Sequence, residues 1–146
     1  MDNEFHSRFN AKARSYRYII TNNFSPFNSS YTLYKPDINI DILKTNIKLF
    51  EGRFDFEYFS KKGSEVHSYI REIYKTDVIA YKNYTILKFK GNGFLRSQIR
   101  MMTQFLLDIS DKNLTSQDLI NQLNKKDKIS TKLVIPNGLY FERVWY

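Results

Sequence analysis

A chain of 146 residues is long enough to enclose one real core, and 42% hydrophobic with 16% aromatic residues is too apolar for a disordered polymer. Its 23 Lys and Arg against 15 Asp and Glu give a net charge of +8, which favours polyanions, nucleic acid ahead of acidic membrane. Cysteine is absent and the only histidines are His6 and His67, which excludes disulfides and thiolate metal sites and leaves too few imidazoles to suggest a metal centre.

The opening Met1-Asp2-Asn3-Glu4 is acidic and polar, which argues against a secretory leader. Charged residues interrupt every apolar run before it reaches the length of a membrane span. The absence of cysteine fits a reducing cytoplasm. From Phe5 to Tyr18, Arg8, Lys12, Arg14 and Arg17 are interleaved with aromatics. Cations there would neutralise phosphates while a tyrosine ring stacks on an exposed base. The plainer reading is a surface edge strand whose tyrosines fill the core. Ser15–Thr21, rich in Tyr and Ile, reads as a strand, and the Asn/Ser-rich stretch Asn22–Ser30 around Pro26 as a loop.

From Asn39, the spacing of Ile40, Leu43, Ile47 and Phe50 predicts a helix that Gly52 terminates. The polar stretch Ser60–Ser68 reads as a second loop. Tyr69–Tyr81 and Tyr84–Lys90 follow as two β-rich runs joined by Lys82-Asn83, a hairpin length, with Asn suited to a left-handed turn position. Thr85, Leu87 and Phe89 share one face of the second run. Arg71, within the first, reads as half of a cross-strand ion pair.

Gly91-Asn92-Gly93 leads into a helix whose stripe runs Phe94, Leu95, Gln98, Ile99, Met102, Phe105, Leu106, Ile109. On it Arg96 and Arg100, four residues apart, are expected on one side, with Arg100 at the margin of the buried stripe. Arg100 would either snorkel outward or pair with a carboxylate at a site on the sheet. Thr115 and Asp118 have the spacing of a capping box for a shorter helix bearing Leu119, Ile120 and Leu123. Lysines 125, 126, 128 and 132 crowd the next loop, and Pro136-Asn137-Gly138 turns into a last strand, Leu139–Tyr146.

The order is β-α-β-β-α-(α)-β, an α+β domain with the split βαβ pattern of ferredoxin-like folds. That pattern predicts an antiparallel sheet with its helices on one face. An uncovered sheet face of this kind can present aromatic and basic side chains to RNA. No loop divides the chain, so residues 1–146 read as a single domain. Its residues alone describe a basic ferredoxin-like RNA-binding module and leave the chemistry open.

Five motifs occur in an order that resembles the TruA-type tRNA pseudouridine synthases. Phe5-His6-Ser7-Arg8-Phe9 with Arg14-Ser15-Tyr16-Arg17-Tyr18 is similar to F-H-x-R-F…R-x-Y-x-Y, and Gly52–Phe59 to G-x-x-D-F-x-x-F. Arg71-Glu72-Ile73 matches R-x-I, Gly93–Arg100 the helix motif ending in arginine, and Gly138-Leu139-Tyr140 the closing G-L-Y. The resemblance implies isomerisation of uridines in the tRNA anticodon stem-loop, with no cofactor and no metal. An aspartate would attack the flipped-out nucleotide, and the base would rejoin the sugar through carbon. It implies that Tyr16 packs on the flipped base, that Arg100 pairs with the catalytic aspartate, and that Leu139 lines the pocket. Arg8, Arg14, Arg17 and Arg96 become phosphate contacts. It also implies a homodimer with tRNA lying across both subunits. The family's G-R-T-D-A-G motif, which carries the aspartate, has no counterpart here. The chain therefore reads as the C-terminal half of the catalytic domain, a partner of an N-terminal half and inactive as a synthase by itself.

Overall fold

The computed structural model describes residues 11–63 and 65–146. Six strands form one sheet: β1 Ala13–Thr21, β2 Leu33–Tyr34, β3 Gly52–Asp55, β4 Ile70–Tyr81, β5 Tyr84–Gly91 and β6 Leu139–Trp145. The helices are α1 Ile40–Ile47, α2 Gln98–Ser110 and α3 Ser116–Leu123. Across the sheet the order is β3-β4-β5-β1. The far edge of β1 is shared: β6 pairs along Ala13–Tyr18, and the two-residue β2 pairs at Ile20 and Thr21. Every pairing is antiparallel except β1 with β2, so the sheet is mixed and the architecture α+β.

Alternation builds the sheet. Tyr18 and Ile20 on β1 and Thr85, Leu87 and Phe89 on β5 are all buried, as the period of two requires. The core behind them takes Leu43 and Ile47 from α1, Met102, Phe105 and Leu106 from α2, and Phe50, Phe56 and Phe59 between α1 and β4. Phe50 and Phe105 both meet the Phe59 ring, at 5.3 and 5.6 Å between centroids. The other sheet face carries Lys75, Asp77, Lys88, Lys90 and Glu142, with Lys88 and Glu142 paired at 3.1 Å.

Local signals placed most elements. Asn39 caps α1 by accepting from the Ile42 amide, and a 3-10 turn, Lys48–Phe50, extends it. Gly52, at φ 128°, both ends that segment and opens β3, a short strand that the helix pattern did not reveal. Next to it, the Thr76 amide and hydroxyl donate to one Glu51 oxygen at 2.7 and 2.8 Å. Partial burial would raise the Glu51 pKa, but these bonds and Lys48 hold it below the usual carboxylate value. Both halves of the Thr115/Asp118 capping box form.

Two local expectations are corrected. The left-handed residue of the β4–β5 turn is Lys82, at φ 52°, rather than Asn83. The helix expected from Phe94 begins only at Gln98, because the buried Gln98 side chain accepts from the Leu95 amide at 2.8 Å and folds Phe94–Ser97 into a turn. Ser97 closes that turn at φ 63°. Arg96 therefore stands off the helix and does not share a face with Arg100.

Candidate active site and nucleic-acid interface

The β1 residues Arg14, Tyr16 and Tyr18 alternate onto the helix-side face of the sheet, beside α2 and β6. Tyr16 pairs with Phe89 on β5 and Phe141 on β6, across a bulge that shifts the β6 register between Ser15 and Tyr16. Its ring lies between two others. Phe94 and Phe141 each meet it edge-on, with centroids 5.3 Å away and planes at 85° and 72°. Tyr16 is half-buried and Phe141 is 53% exposed. A partly open cluster of three rings at the end of a sheet offers a surface on which a nucleobase can stack. In the sequence Phe94 reads only as the first residue of a buried helix stripe and Phe141 as an ordinary strand aromatic, with nothing to mark either as part of a site.

Tyr18 is fully buried, and its hydroxyl donates to the Ile135 carbonyl at 2.6 Å. One residue earlier, the Val134 carbonyl accepts from Arg100 Nε at 2.8 Å. Consecutive carbonyls of the segment before β6 are thus fastened, one to β1 and one to α2. The Tyr18 pKa is pushed up to about 12, chiefly by burial, while the Gly138 amide and the nearby Arg100 charge act in the opposite direction. Leu139 is the register partner of Tyr18 and packs against the core. Gly138 is where the chain most needs a glycine. A Cβ there would stand 2.5 Å from the Ile19 carbonyl oxygen and 2.9 Å from the Tyr18 ring. Arg100 and Leu139 therefore converge on Tyr18, two residues along β1 from Tyr16. Arg100 has no carboxylate partner among the described residues.

The other predicted cations divide. Arg14, on the same face as Tyr16, and Arg96, in the turn before α2, both line a cleft of about 510 Å³ with Arg71, His67, Gly93 and Phe94. Arg17 points to the opposite face, with its guanidinium 5.9 Å from the Tyr140 ring centroid. Arg8 lies outside the described residues. The cross-strand ion pair expected at Arg71 does not form among the described residues. Its position opposes Phe54 on β3, and Arg71 Nη1 instead donates to the Ser68 and Ile70 carbonyls at 2.8 and 2.7 Å. Burial pushes the Arg71 pKa down from the ordinary arginine value. The loop lysine Lys125 is engaged elsewhere: Glu57 and Asp55 accept from it at 2.7 and 3.4 Å. Among the described residues no cluster of three metal-ligating side chains occurs, and no helix is long and apolar enough to cross a membrane.

Comparison with known proteins bears directly on this geometry. Residues 47–146 match the family described as tRNA pseudouridine synthase. Tyr16 and its strand precede that span, and Arg71, Arg100 and Leu139 lie inside it. The chain is 35% identical over 144 residues to tRNA pseudouridine synthase A of Campylobacter jejuni (strain RM1221), covering 98% of this chain and 60% of the relative. The proteins of that name from Helicobacter hepaticus and Helicobacter pylori (strain Shi470) are each 35% identical, over 147 and 152 residues. Those alignments cover 100% and 99% of this chain against 59% and 62% of the relatives. The chain thus spans about 60% of the length of the curated relatives it matches.

Proposed function

The chain belongs to the tRNA pseudouridine synthase family, and on that premise we propose that it supplies the base-holding side of the active site of an enzyme that isomerises uridine to pseudouridine in the tRNA anticodon stem-loop. The convergence of Arg100 and Leu139 on Tyr18, one pleat from the Tyr16 ring cluster, carries this reading.

In the reaction the N1–C1′ bond breaks, the uracil turns, C5–C1′ forms, C5 gives up its proton to solvent and N1 takes one up, so the product is an isomer of uridine. Tyr16 offers a ring against which an unstacked uracil can lie, held upright by Phe94 and Phe141, and a hydroxyl that assists proton transfer. Leu139 closes the apolar side. Arg100, fixed through Nε to the Val134 carbonyl, offers its remaining donors to an aspartate supplied by a segment outside this chain. Arg14 and Arg96 take phosphates, the resemblance implies the same role for Arg8, and Arg17 serves RNA reaching the opposite face.

The chain is then the C-terminal half of the catalytic domain, of ferredoxin-like topology. The antiparallel order β6-β1-β5-β4 with α1 and α2 as crossovers supports that assignment. In this reading it works with its N-terminal half as a homodimer on cytoplasmic tRNA, without a cofactor.

Tritium release from tRNA labelled at uracil C5 tests the proposal. Release is expected from this chain joined to the missing half and not from the chain alone, and Tyr16→Phe or Arg100→Ala in the joined protein should lower turnover more than tRNA affinity. Activity in neither form would point to a non-catalytic RNA-binding module instead. Undiminished turnover in the Arg100→Ala protein would remove that arginine from the mechanism.

A further inference from the structure

The cleft of about 510 Å³ before α2 is also where cations gather. Arg14 and Arg71 approach it from neighbouring regions of the sheet and converge on Gly93. A methyl placed on Gly93 would lie 3.7 Å from Arg71 Nε and 4.0 Å from an Arg14 Nη. Arg96 reaches in from the turn before α2, with one Nη donating to the Lys62 carbonyl at 3.1 Å. His67 also lines the cleft, and Glu65 is the one carboxylate among the described lining residues. The Arg71 side chain is positioned by its two carbonyl bonds through Nη1, so its planar fork is oriented in advance.

From these contacts we infer that the cleft seats one backbone phosphodiester of a single-stranded RNA segment. Arg14 and Arg71 grip it over Gly93, and Arg96 closes the mouth. The inference rests on the tRNA reading and adds Arg71 as a binding residue. Two guanidiniums over one glycine, with a third lining the same cleft, suit a tetrahedral oxyanion better than an apolar or cationic group, because forked donors can each take two oxygens. The cleft is open and far larger than a bare ion, which suits a strand passing through. Phe94 identifies that strand as nucleic acid. It lines the cleft and meets the Tyr16 ring edge-on at 5.3 Å, so the phosphate seat and the stacking surface share a single ring as their partition. A phosphopeptide or lipid headgroup would use the seat and leave the adjoining rings without a partner.

Two probes test this on the 146-residue chain. Inorganic phosphate titrated to millimolar concentration should move the side-chain Nε–Hε NMR signals of Arg14, Arg71 and Arg96 together. Binding of an anticodon stem-loop hairpin should weaken about tenfold in Arg71→Gln, with the log–log salt slope reduced by at most about 0.7 to 0.9, the share of the one phosphate that Arg14 and Arg96 also hold. Arg71→Lys, which keeps the charge and loses the fork, should recover part of the affinity and guards against a folding artefact. Unchanged hairpin affinity and slope in Arg71→Gln would overturn the seat while leaving the tRNA reading intact. Phosphate shifts without any RNA binding by the wild-type chain would sink the tRNA reading and the RNA assignment of the seat together. Absence of the shifts would overturn the seat directly.

Discussion

Tyr18 illustrates how much one side chain settles here. Its ring fills space that Gly138 leaves open, and its hydroxyl holds the Ile135 carbonyl. Replacement by Phe keeps the ring and strips the carbonyl of its donor, which should lower stability by about 1–3 kcal/mol. The pH dependence follows from the raised pKa. The folded group titrates near 12 and the unfolded one near 10, so the native state holds the extra proton between those values. The contribution is complete below pH 10 and is lost as pH rises through about 12. Urea unfolding at a series of alkaline pH values should show a steeper loss in wild type than in Tyr18→Phe. Equal slopes would mean that the hydroxyl is not buried as described. In the sequence the two tyrosines of Tyr16-Arg17-Tyr18 were distinguishable only through the family motif, since alternation puts both on one face and says nothing of what covers each. Arg71 was misjudged for a related reason: a strand arginine suggests a cross-strand partner, and only the sheet register shows that Phe54 stands opposite.

Elements were legible wherever the chain carries its own punctuation. Asn39, Thr115 with Asp118, and the two-residue Lys82-Asn83 connection all do what short-range chemistry predicts, apart from which turn residue goes left-handed. The start of α2 was not legible, because it depends on a buried glutamine reaching back to the Leu95 amide, a contact that periodicity cannot encode. Strands β2 and β3 escaped because strands of two and four residues are too short to show a period. The capping box gives the test at this scale. Thr115→Ala should cost about 1 kcal/mol, seen as a lower urea midpoint with unchanged m-value, and Thr115→Ser should restore most of it. A full-sized loss in Thr115→Ser would show that the methyl, rather than the hydroxyl, matters at that position.

For the whole molecule the net charge of +8 was readable as an affinity for polyanions, but not its partition. Folding assigns the cations to different duties. Lys48, Lys88 and Lys125 are paired with carboxylates, Lys90 lies 4.0 Å over the Trp145 ring, and Arg14, Arg71 and Arg96 gather in one cleft. If only a gathered minority meets RNA, the salt dependence of binding should report a few phosphates rather than eight or more. A log–log slope of roughly −2 to −4 for the anticodon hairpin is expected, since each contact contributes about 0.7 to 0.9. A slope near −8 would mean that charge is spread over the RNA-binding surface and that the cleft holds no privileged place.

The placing of Arg14, Tyr16 and Tyr18 on alternate residues of β1 makes that strand a ruler. Its graduations are fixed by the pleat at about 6.6 Å for every second residue. In the proposed reading it marks off the interval from a gripped backbone to a stacked ring to a clamped loop. One residue inserted between Arg14 and Tyr16 would leave every side chain chemically intact, yet turn one part of the scale to the other side of the sheet. The spacing of this strand is therefore as much a part of the site as the residues that stand on it.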